Sequence, residues 1–202
     1  MKKNLARDLW LIVLSLGTFV VQPVYADSPA LRDLKTHIAS VQQVLVDTKL
    51  ADPGRRLQQR RLALTVLHQL FDFPEMSRRS LGANARRYND RLAEFTPLFV
   101  GLLEQAYMGK LEENGDAKIQ YVKEVVVDQD VEVDTKTRLK DGTEYSINYK
   151  LNFTSAGWRF YDVIVEGVSL VNNCRSQFDR FLSKKSFDEL LQVLREKKSN
   201  FS

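Results

Sequence analysis

The histidines are the first residues of this sequence to test for catalytic chemistry, because an imidazole is the commonest general base in enzymes. The chain has only two, His37 and His68, and both fall within helical patterns on otherwise ordinary surfaces. A zinc site needs three or four clustered ligands, and no such spacing occurs. The glycine-rich phosphate-binding patterns GxGxxG and GxxxxGK(S/T) are also absent from the sequence. We therefore expect no metal, no cofactor and no histidine-based catalysis.

Two carboxylates, Asp162 and Glu166, fall in one predicted strand and face the same side. Four residues at ~3.3 Å each place them roughly 13 Å apart, whereas two-carboxylate hydrolases hold their pair about 5 to 9.5 Å apart. Because Asp162 lies in an apolar run, we expect it to pair with an arginine or with backbone N–H groups. A small cavity enzyme that uses Asp162 as a buried acid or base is the alternative hypothesis.

Helices and strands must position these residues, and the spacing of the apolar residues that predicts them changes twice along the chain. From about residue 28 to 113, apolar residues recur at the three- and four-residue steps typical of helices, and the segment 52–54 interrupts that pattern. Pro97 leaves open whether one kinked helix or two abutting helices follow. Four runs of strand-forming residues come next, with the short turns of an antiparallel meander, and helical spacing returns after residue 167. The order of helices, sheet and helices predicts an α+β fold.

The composition and charge predict an ordinary globular domain that follows an N-terminal export signal. The 202 residues are 44% hydrophobic and 28% charged, with 9 Gly, 5 Pro and 1 Cys, which excludes collagen-like, low-complexity and disulfide-scaffold proteins. Residues 1–26 combine three basic residues with an apolar run of 13, shorter than the roughly 20 of a membrane-spanning helix. We expect cleavage after Ala26 and one exported domain of residues 27–202 with a net charge of +2. Its single cysteine, Cys174, cannot form an internal disulfide.

The arginines are concentrated in the helical half of the chain. Between residues 55 and 91, nine arginines face three acidic residues, a net charge of +6. Such a surface can attract an acidic membrane, an anionic headgroup or an acidic partner protein, or it can be a solvated helix face. Nucleic acid is not expected as a partner, because no RNA-binding motif of aromatic and basic residues is present. The nine residues are Arg55, Arg56, Arg60, Arg61, Arg78, Arg79, Arg86, Arg87 and Arg91.

The aromatic residues leave two interpretations of the interior open. The strand run EYSINYKLNF alternates Tyr145, Ile147, Tyr149, Leu151 and Phe153 on one face. These side chains can fill an ordinary core between the sheet and the helices. They can also belong to a curved sheet that leaves an apolar cavity beneath the helices.

Three segments together resemble one family. They are FDFPEMSRRSLG at residues 71–82, EF..LF..LLE..Y at residues 94–107, and GWRFYDVIVEGVSLVNNCRSQF at residues 157–178. These segments are similar to the toluene-tolerance or MlaC-like periplasmic phospholipid-binding proteins, which are auxiliary components of an ABC transporter. The likeness covers nearly all of the chain after residue 26, and the last segment is the most specific. Cys174 is a departure, because the family usually has an aromatic residue there.

The resemblance implies a carrier that performs no catalysis. Such a protein shuttles phospholipid through the periplasm, between an outer-membrane complex and an inner-membrane ABC transporter complex, and maintains the lipid asymmetry of the outer membrane. Roughly 30 methylenes at about 0.8 kcal/mol each oppose transfer of a lipid through water by up to ~24 kcal/mol. The carrier must therefore bury nearly all of the acyl chains, in a pocket at or beyond about 1,000 Å³.

The resemblance also implies a fold and a set of site residues. Helices pack on a highly curved four-stranded antiparallel sheet and enclose an apolar cavity for the acyl chains. We expect Arg78 or Arg79 to lie near the headgroup or a docking surface, since guanidinium groups suit phosphate. A periplasmic protein-binding adaptor, with a filled interior and an exposed apolar patch, is a further alternative. The residues expected to bind lipid are Phe71, Phe73, Met76, Leu81, Leu102, Tyr107, Tyr149, Leu151, Tyr161, Val163 and Val168.

Overall fold

The structure is a computed structural model that describes residues 27–50 and 52–199. The predicted signal peptide, residues 1–26, lies outside the described residues. The helices are α1 (Pro29–Leu50), α2 (Pro53–Leu70), α3 (Phe73–Leu81), α4 (Asn84–Arg87), α5 (Leu92–Glu113), α6 (Leu170–Leu182) and α7 (Phe187–Ser199), with a 3₁₀ helix at Asn89–Arg91. The strands are β1 (Lys118–Val127), β2 (Asp130–Arg138), β3 (Glu144–Thr154), β4 (Gly157–Val165) and β5 (Val168–Ser169).

Two aspartates explain where the second and third helices begin. The Asp52 side chain accepts a hydrogen bond from the backbone N–H of Arg55 at 3.1 Å, and Asp72 accepts one from Glu75 at 3.0 Å. Each aspartate is followed by a proline in the first turn, where the missing N–H costs no hydrogen bond. The expected interruption of the helical pattern is confirmed at Asp52, and Pro53 and Gly54 already belong to the first turn of α2. Helix α5 continues through Pro97, so a single helix occupies this part of the chain.

The sheet is an open antiparallel meander in the order β1-β2-β3-β4-β5. The expectation of four strands is wrong by one, because Val168 and Ser169 pair back onto Val165 and Ile164 of β4. The turn between β4 and β5 consists of Glu166 and Gly167, which both have positive φ, 49° and 77°. Two such residues are what a tight hairpin turn requires.

Two β-bulges change which residues share a face of the sheet. One lies in β1, between Tyr121 and Lys123. The other lies between β3 and β4, where Lys150 pairs with Asp162 but the next residue, Leu151, pairs with Phe160. Tyr161 is therefore the extra residue of the bulge, and the alternation of sides along β4 is interrupted there.

The interior contains two large apolar clusters with different partners. One lies among α3, α5, α6 and α7 and includes the buried rings of Phe95, Phe99 and Phe178. The other lies where α1 packs on the sheet and includes Leu34 and Leu151. Among the helices of the described residues, none combines the length and the hydropathy needed to cross a bilayer.

Candidate functional site

An apolar cavity of about 570 Å³ lies between the helices and the inner face of the sheet. Its wall comes from α1, the end of α2, α3, the second half of α5, the first residue of α6 and strands β1 to β4. The side chains on this wall are mostly aliphatic or aromatic, so the space suits an apolar ligand. Among the apolar residues of the wall are Ile38, Val41, Leu45, Leu70, Phe71, Phe73, Met76, Tyr107, Ile147, Tyr149, Phe160 and Val163.

The cavity has a mouth at the end of the sheet where β2 turns into β3. Leu111, Tyr145 and Val165 line the cavity there and are each more than a third exposed. Lys110 and Glu113, near the end of α5, line the same space. The expected enclosure is therefore not confirmed, and the volume is smaller than the expected 1,000 Å³.

An aromatic group forms the far wall of the cavity. The rings of Phe71 and Phe73 stack with their centroids 5.5 Å apart. The Phe160 ring meets Phe71 edge-on, with centroids 5.2 Å apart, and lies tilted against Tyr149, with centroids 5.5 Å apart. The junction between α2 and α3 is fixed to β4, because the backbone N–H of Asp72 donates to the carbonyl oxygen of Phe160 at 2.8 Å. This hydrogen bond fixes the positions of Phe71 and Phe73, on either side of Asp72, relative to Phe160.

Two tyrosines of the cavity, Tyr107 and Tyr149, carry no charge in the neutral pH range. Burial raises the pKa of the Tyr149 hydroxyl well above its usual value, and the neighbouring Tyr121 raises it further. Burial also raises the pKa of Tyr107. Because an ionised phenol would be poorly solvated here, both groups remain neutral and compatible with an apolar ligand.

A hydrogen bond between a histidine and a glutamate and one ion pair connect α2 to α5 beside the cavity. His68 Nε2 lies 2.8 Å from Glu104 Oε1, and Arg60 Nε lies 3.6 Å from Glu112 Oε1. The other histidine, His37, lies on α1 with its ring 6.3 Å from that of Phe160, and burial lowers its pKa. Neither histidine is placed beside a nucleophile by these contacts.

Asp162 is confirmed as a carboxylate paired with backbone N–H groups. It is 6% exposed, and its oxygens accept hydrogen bonds from two backbone N–H groups and from the hydroxyl of Ser169. It lies outside the apolar cavity, on the wall of a separate polar cleft. Within residues 27–50 and 52–199, no group of three or more His, Cys, Asp or Glu side chains could hold a metal ion.

The structure brings part of the expected lipid-binding set together. Phe71, Phe73, Met76, Tyr107, Tyr149 and Val163 lie on the cavity wall. Leu81, Leu102 and Leu151 pack in the apolar clusters, Tyr161 lies on the polar cleft, and Val168 is 60% exposed after the β4–β5 turn. Lipid contact by any of these residues stays a prediction.

Arg78 and Arg79 lie away from the cavity mouth. Both guanidinium groups contact the Glu75 carboxylate, and together they hold its pKa below the usual range despite burial, which acts in the opposite direction. Arg79 also stacks on the Tyr161 ring at 3.9 Å. Both arginines line the polar cleft that contains Asp162.

Sequence reasoning missed the contribution of the first helix to the cavity. Ile38, Val41 and Leu45 of α1 lie on the wall. The signal was present, because these residues belong to the same three- and four-residue apolar pattern that predicts the helix. A helix stripe of this kind identifies a buried face, but it does not distinguish a cavity wall from a packed core.

Comparison with known proteins shows the family of this chain. The model of the MlaC protein family matches residues 35–196, which run from α1 into α7. The chain belongs to the MlaC family. All the residues of the cavity wall, from Ile38 to Leu170, lie within the matched residues of this MlaC-family chain. Membership of the family points to a binding or transport protein rather than an enzyme.

One solved structure shows how far the fold extends. A phospholipid-binding protein from Ralstonia solanacearum, solved in complex with a phospholipid, is 21% identical to this MlaC-family chain. The superposition has a TM-score of 0.74 and covers 86% of this chain and 98% of the other. At this identity the likeness establishes the shared fold. No curated protein sequence matches the chain.

Proposed function

We propose that this protein is a periplasmic phospholipid carrier that performs no catalysis. The observation that carries the proposal is the open apolar cavity of about 570 Å³, whose far wall consists of neutral aromatic rings. Membership of the MlaC family and the fold shared with a protein solved in complex with phospholipid support a lipid as the ligand.

The acyl chains would enter with their terminal methyl groups towards Phe71 and Phe160. The headgroup would then remain outside the mouth formed by Leu111, Tyr145 and Val165. Burial of half of the roughly 30 methylenes of a two-chain lipid, at about 0.8 kcal/mol each, already contributes about 12 kcal/mol. A cavity smaller than the whole lipid is therefore still sufficient to hold it against water.

The partners in this proposal are an outer-membrane lipid-transport complex and an inner-membrane ABC transporter complex. The predicted signal peptide supports an exported, periplasmic protein. An open mouth allows a lipid to leave along the axis of the cavity while the carrier is docked, without unfolding of either apolar cluster. Such a carrier would maintain the lipid asymmetry of the outer membrane.

The two alternative hypotheses have less support from the geometry. A cavity enzyme would need Asp162 to face the apolar space, but its carboxylate is occupied by three hydrogen bonds in a different cleft. An adaptor would need a filled interior, whereas the space between the helices and the sheet is hollow.

Native extraction tests the proposal directly. The full-length chain is exported in a bacterial host, purified without detergent and extracted with organic solvent, and the extract is identified by mass spectrometry and phosphorus analysis. We expect close to one phospholipid per protein. Absence of phospholipid, both as purified and after incubation with phosphatidylethanolamine vesicles, would refute carriage.

A further inference from the structure

A second concave surface lies on the outside of the molecule, formed by two adjoining clefts of about 380 and 460 Å³. Arg78, Gly82 and Arg175 line both clefts. Arg79 and Lys150 line the first, and Arg86 lines the second. We call the two together the basic cleft.

The basic cleft and the apolar cavity lie on opposite sides of the same elements. On β4, Phe160 and Val163 line the cavity, whereas Tyr161 and Ile164 line the cleft. Helices α3 and α6 divide in the same way: Leu170, for example, lines the cavity and the next residue lines the cleft. None of the mouth residues of the cavity lines the cleft. The cleft is therefore a surface separate from the mouth.

Basic residues outnumber acidic residues on the walls of the cleft, although Glu75 contacts Arg78 and Asp179 lies beside Arg175. The part around Arg86 has no carboxylate on its wall. Arg86 forms no ion pair with any residue of the part of the chain that the structure describes, and Arg175 Nε lies 3.8 Å from Asp179 Oδ2, a loose pair. Asp162 is the acidic residue on the other wall, and its oxygens already accept three hydrogen bonds.

The floor of the cleft is shaped to hold one of its arginines. Gly82 has φ of 56°, a conformation that side chains disfavour, and a Cβ at this position would lie 2.5 Å from Arg175 Nε. Glycine therefore lets the Arg175 side chain cross the floor between α3 and α6. On the opposite side, Arg79 is held by its stack on Tyr161 and its ion pair with Glu75. Side chains that are already ordered lose less entropy when they bind.

We propose that the basic cleft binds an acidic segment of a partner protein, with Asp or Glu side chains between Arg78, Arg86 and Arg175. Guanidinium groups form paired hydrogen bonds with carboxylates, which Arg86 can offer to a ligand, whereas Nε and Nη2 of Arg78 already donate to Glu75 and Arg78 contributes its charge. A bilayer presents a flat array of headgroups, which suits a convex basic surface better than a recess. The proposal rests on the proposed carrier function, because a carrier must dock, and it names the chemistry of the docking partner.

A peptide of six glutamates labelled with fluorescein is the probe, and fluorescence anisotropy with the full purified protein is the measurement. A hexaglutamine peptide of the same length is the uncharged control. We expect saturable binding of hexaglutamate at low ionic strength that weakens in 0.5 M NaCl, as contacts between exposed charges do. No comparable binding of hexaglutamine is expected.

Charge reversal locates the binding site. Arg86→Glu and Arg175→Glu are each expected to weaken hexaglutamate binding roughly fivefold or more. Arg180→Glu is the matched control, because it makes the same charge change on an exposed residue of α6 that lines neither cleft. Since Arg175 packs over Gly82, thermal unfolding is measured for each variant, and the exposed Arg86 provides the test that does not depend on packing.

Three results would overturn the proposal. They are no hexaglutamate binding by the unmodified protein, an equal loss in the Arg180→Glu variant, and Arg86-dependent binding of phosphatidylglycerol vesicles in place of the peptide. The lipid content of the same preparations separates this proposal from the carrier function. Preparations that bind the peptide through Arg86 but hold no phospholipid would refute carriage and leave the acidic-segment site in place.

Discussion

Asp162 Oδ1 accepts a hydrogen bond of 3.1 Å from the backbone N–H of Val171, which joins β4 to the first turn of α6. The N–H groups of a first turn have no acceptor within their own helix. Ser169 caps the same turn by accepting from Asn172 at 3.0 Å, and its hydroxyl donates to Asp162 Oδ2 at 2.5 Å. The carboxylate therefore connects the last long strand to the helix that follows it.

The first prediction concerns this connection. Asp162→Ala removes the acceptor for three donors in a buried site, and each unsatisfied donor costs about 1 to 3 kcal/mol. We expect the free energy of unfolding, measured by chemical denaturation, to fall by about 3 kcal/mol or more. The exposed Asp90→Ala is the matched control and should change it by less than about 0.5 kcal/mol. A change of less than about 0.5 kcal/mol for Asp162→Ala as well would show that Asp162 has no structural role.

The second prediction tests the cavity with two valines that are five residues apart. Val163 lies on the cavity wall, and Val168 is 60% exposed outside it. Val163→Glu places a carboxylate on the wall of the apolar cavity, where it would be desolvated without a partner. We expect roughly a tenfold or larger loss of co-purified phospholipid, since about 1.4 kcal/mol already changes binding tenfold.

Val168→Glu makes the same chemical change without entering the cavity, so its lipid content should equal that of the unmodified protein. Circular dichroism of both variants checks that the fold is intact. Loss of lipid in both, or in neither, would contradict the assignment of this space to the acyl chains.

The third prediction is a pH dependence at the start of α7. Lys185 and the N–H and hydroxyl of Ser186 lower the pKa of Glu189 to about 2 from an ordinary value of 4.5. Because the pKa is lower in the folded state, ionised Glu189 stabilises the helix above pH 4.5, and this stabilisation is lost as the pH falls towards 2.

We therefore expect Glu189→Gln to lower the thermal unfolding midpoint at pH 6 and to have a vanishing effect near pH 2. The comparison of the two proteins at each pH removes the contribution of other carboxyl groups. A difference that stays constant from pH 6 to pH 2 would contradict the lowered pKa.

The fourth prediction concerns the free thiol of Cys174. The side chain is buried, and burial followed by the charge of Asp162 raises its pKa to about 11. At pH 8 only about one thiol in a thousand is ionised, and the thiolate is the reactive form. We expect no alkylation by iodoacetamide within an hour by mass spectrometry, and complete alkylation in 6 M guanidinium chloride. Rapid modification of the folded protein would show that this part of α6 opens.

The sequence was sufficient for the order of the elements, because helical and strand periods differ clearly on either side of residues 113 and 167. It was not sufficient for β5. Val168 and Ser169 lie between a two-residue turn and a helix, and two residues cannot display a period. The continuity of α5 through Pro97 likewise depends on packing, since a proline removes one hydrogen bond and local sequence does not reveal whether the neighbours compensate.

The site shows the same limit at the level of single residues. Tyr161 and Val163 are two apart, so simple alternation predicts one face, and the bulge at Tyr161 places them on the polar cleft and the cavity respectively. Leu151 does share a face with Tyr149, but it is fully buried in the cluster beneath α1. Whether an inward side chain meets a neighbour or an empty space depends on helix positions that no local pattern encodes.

The position of α1 has a consequence for the order of assembly. Gln42 donates to the carbonyl oxygen of Ala117, 75 residues along the chain, and Ser28 donates to Glu124, 96 residues away. The hairpins of the sheet need only short turns, and nearby pairings form before distant ones. We therefore expect the first helix to dock on the sheet last. Until it docks, the apolar face of the sheet remains open, so an acyl chain could be enclosed while the protein folds.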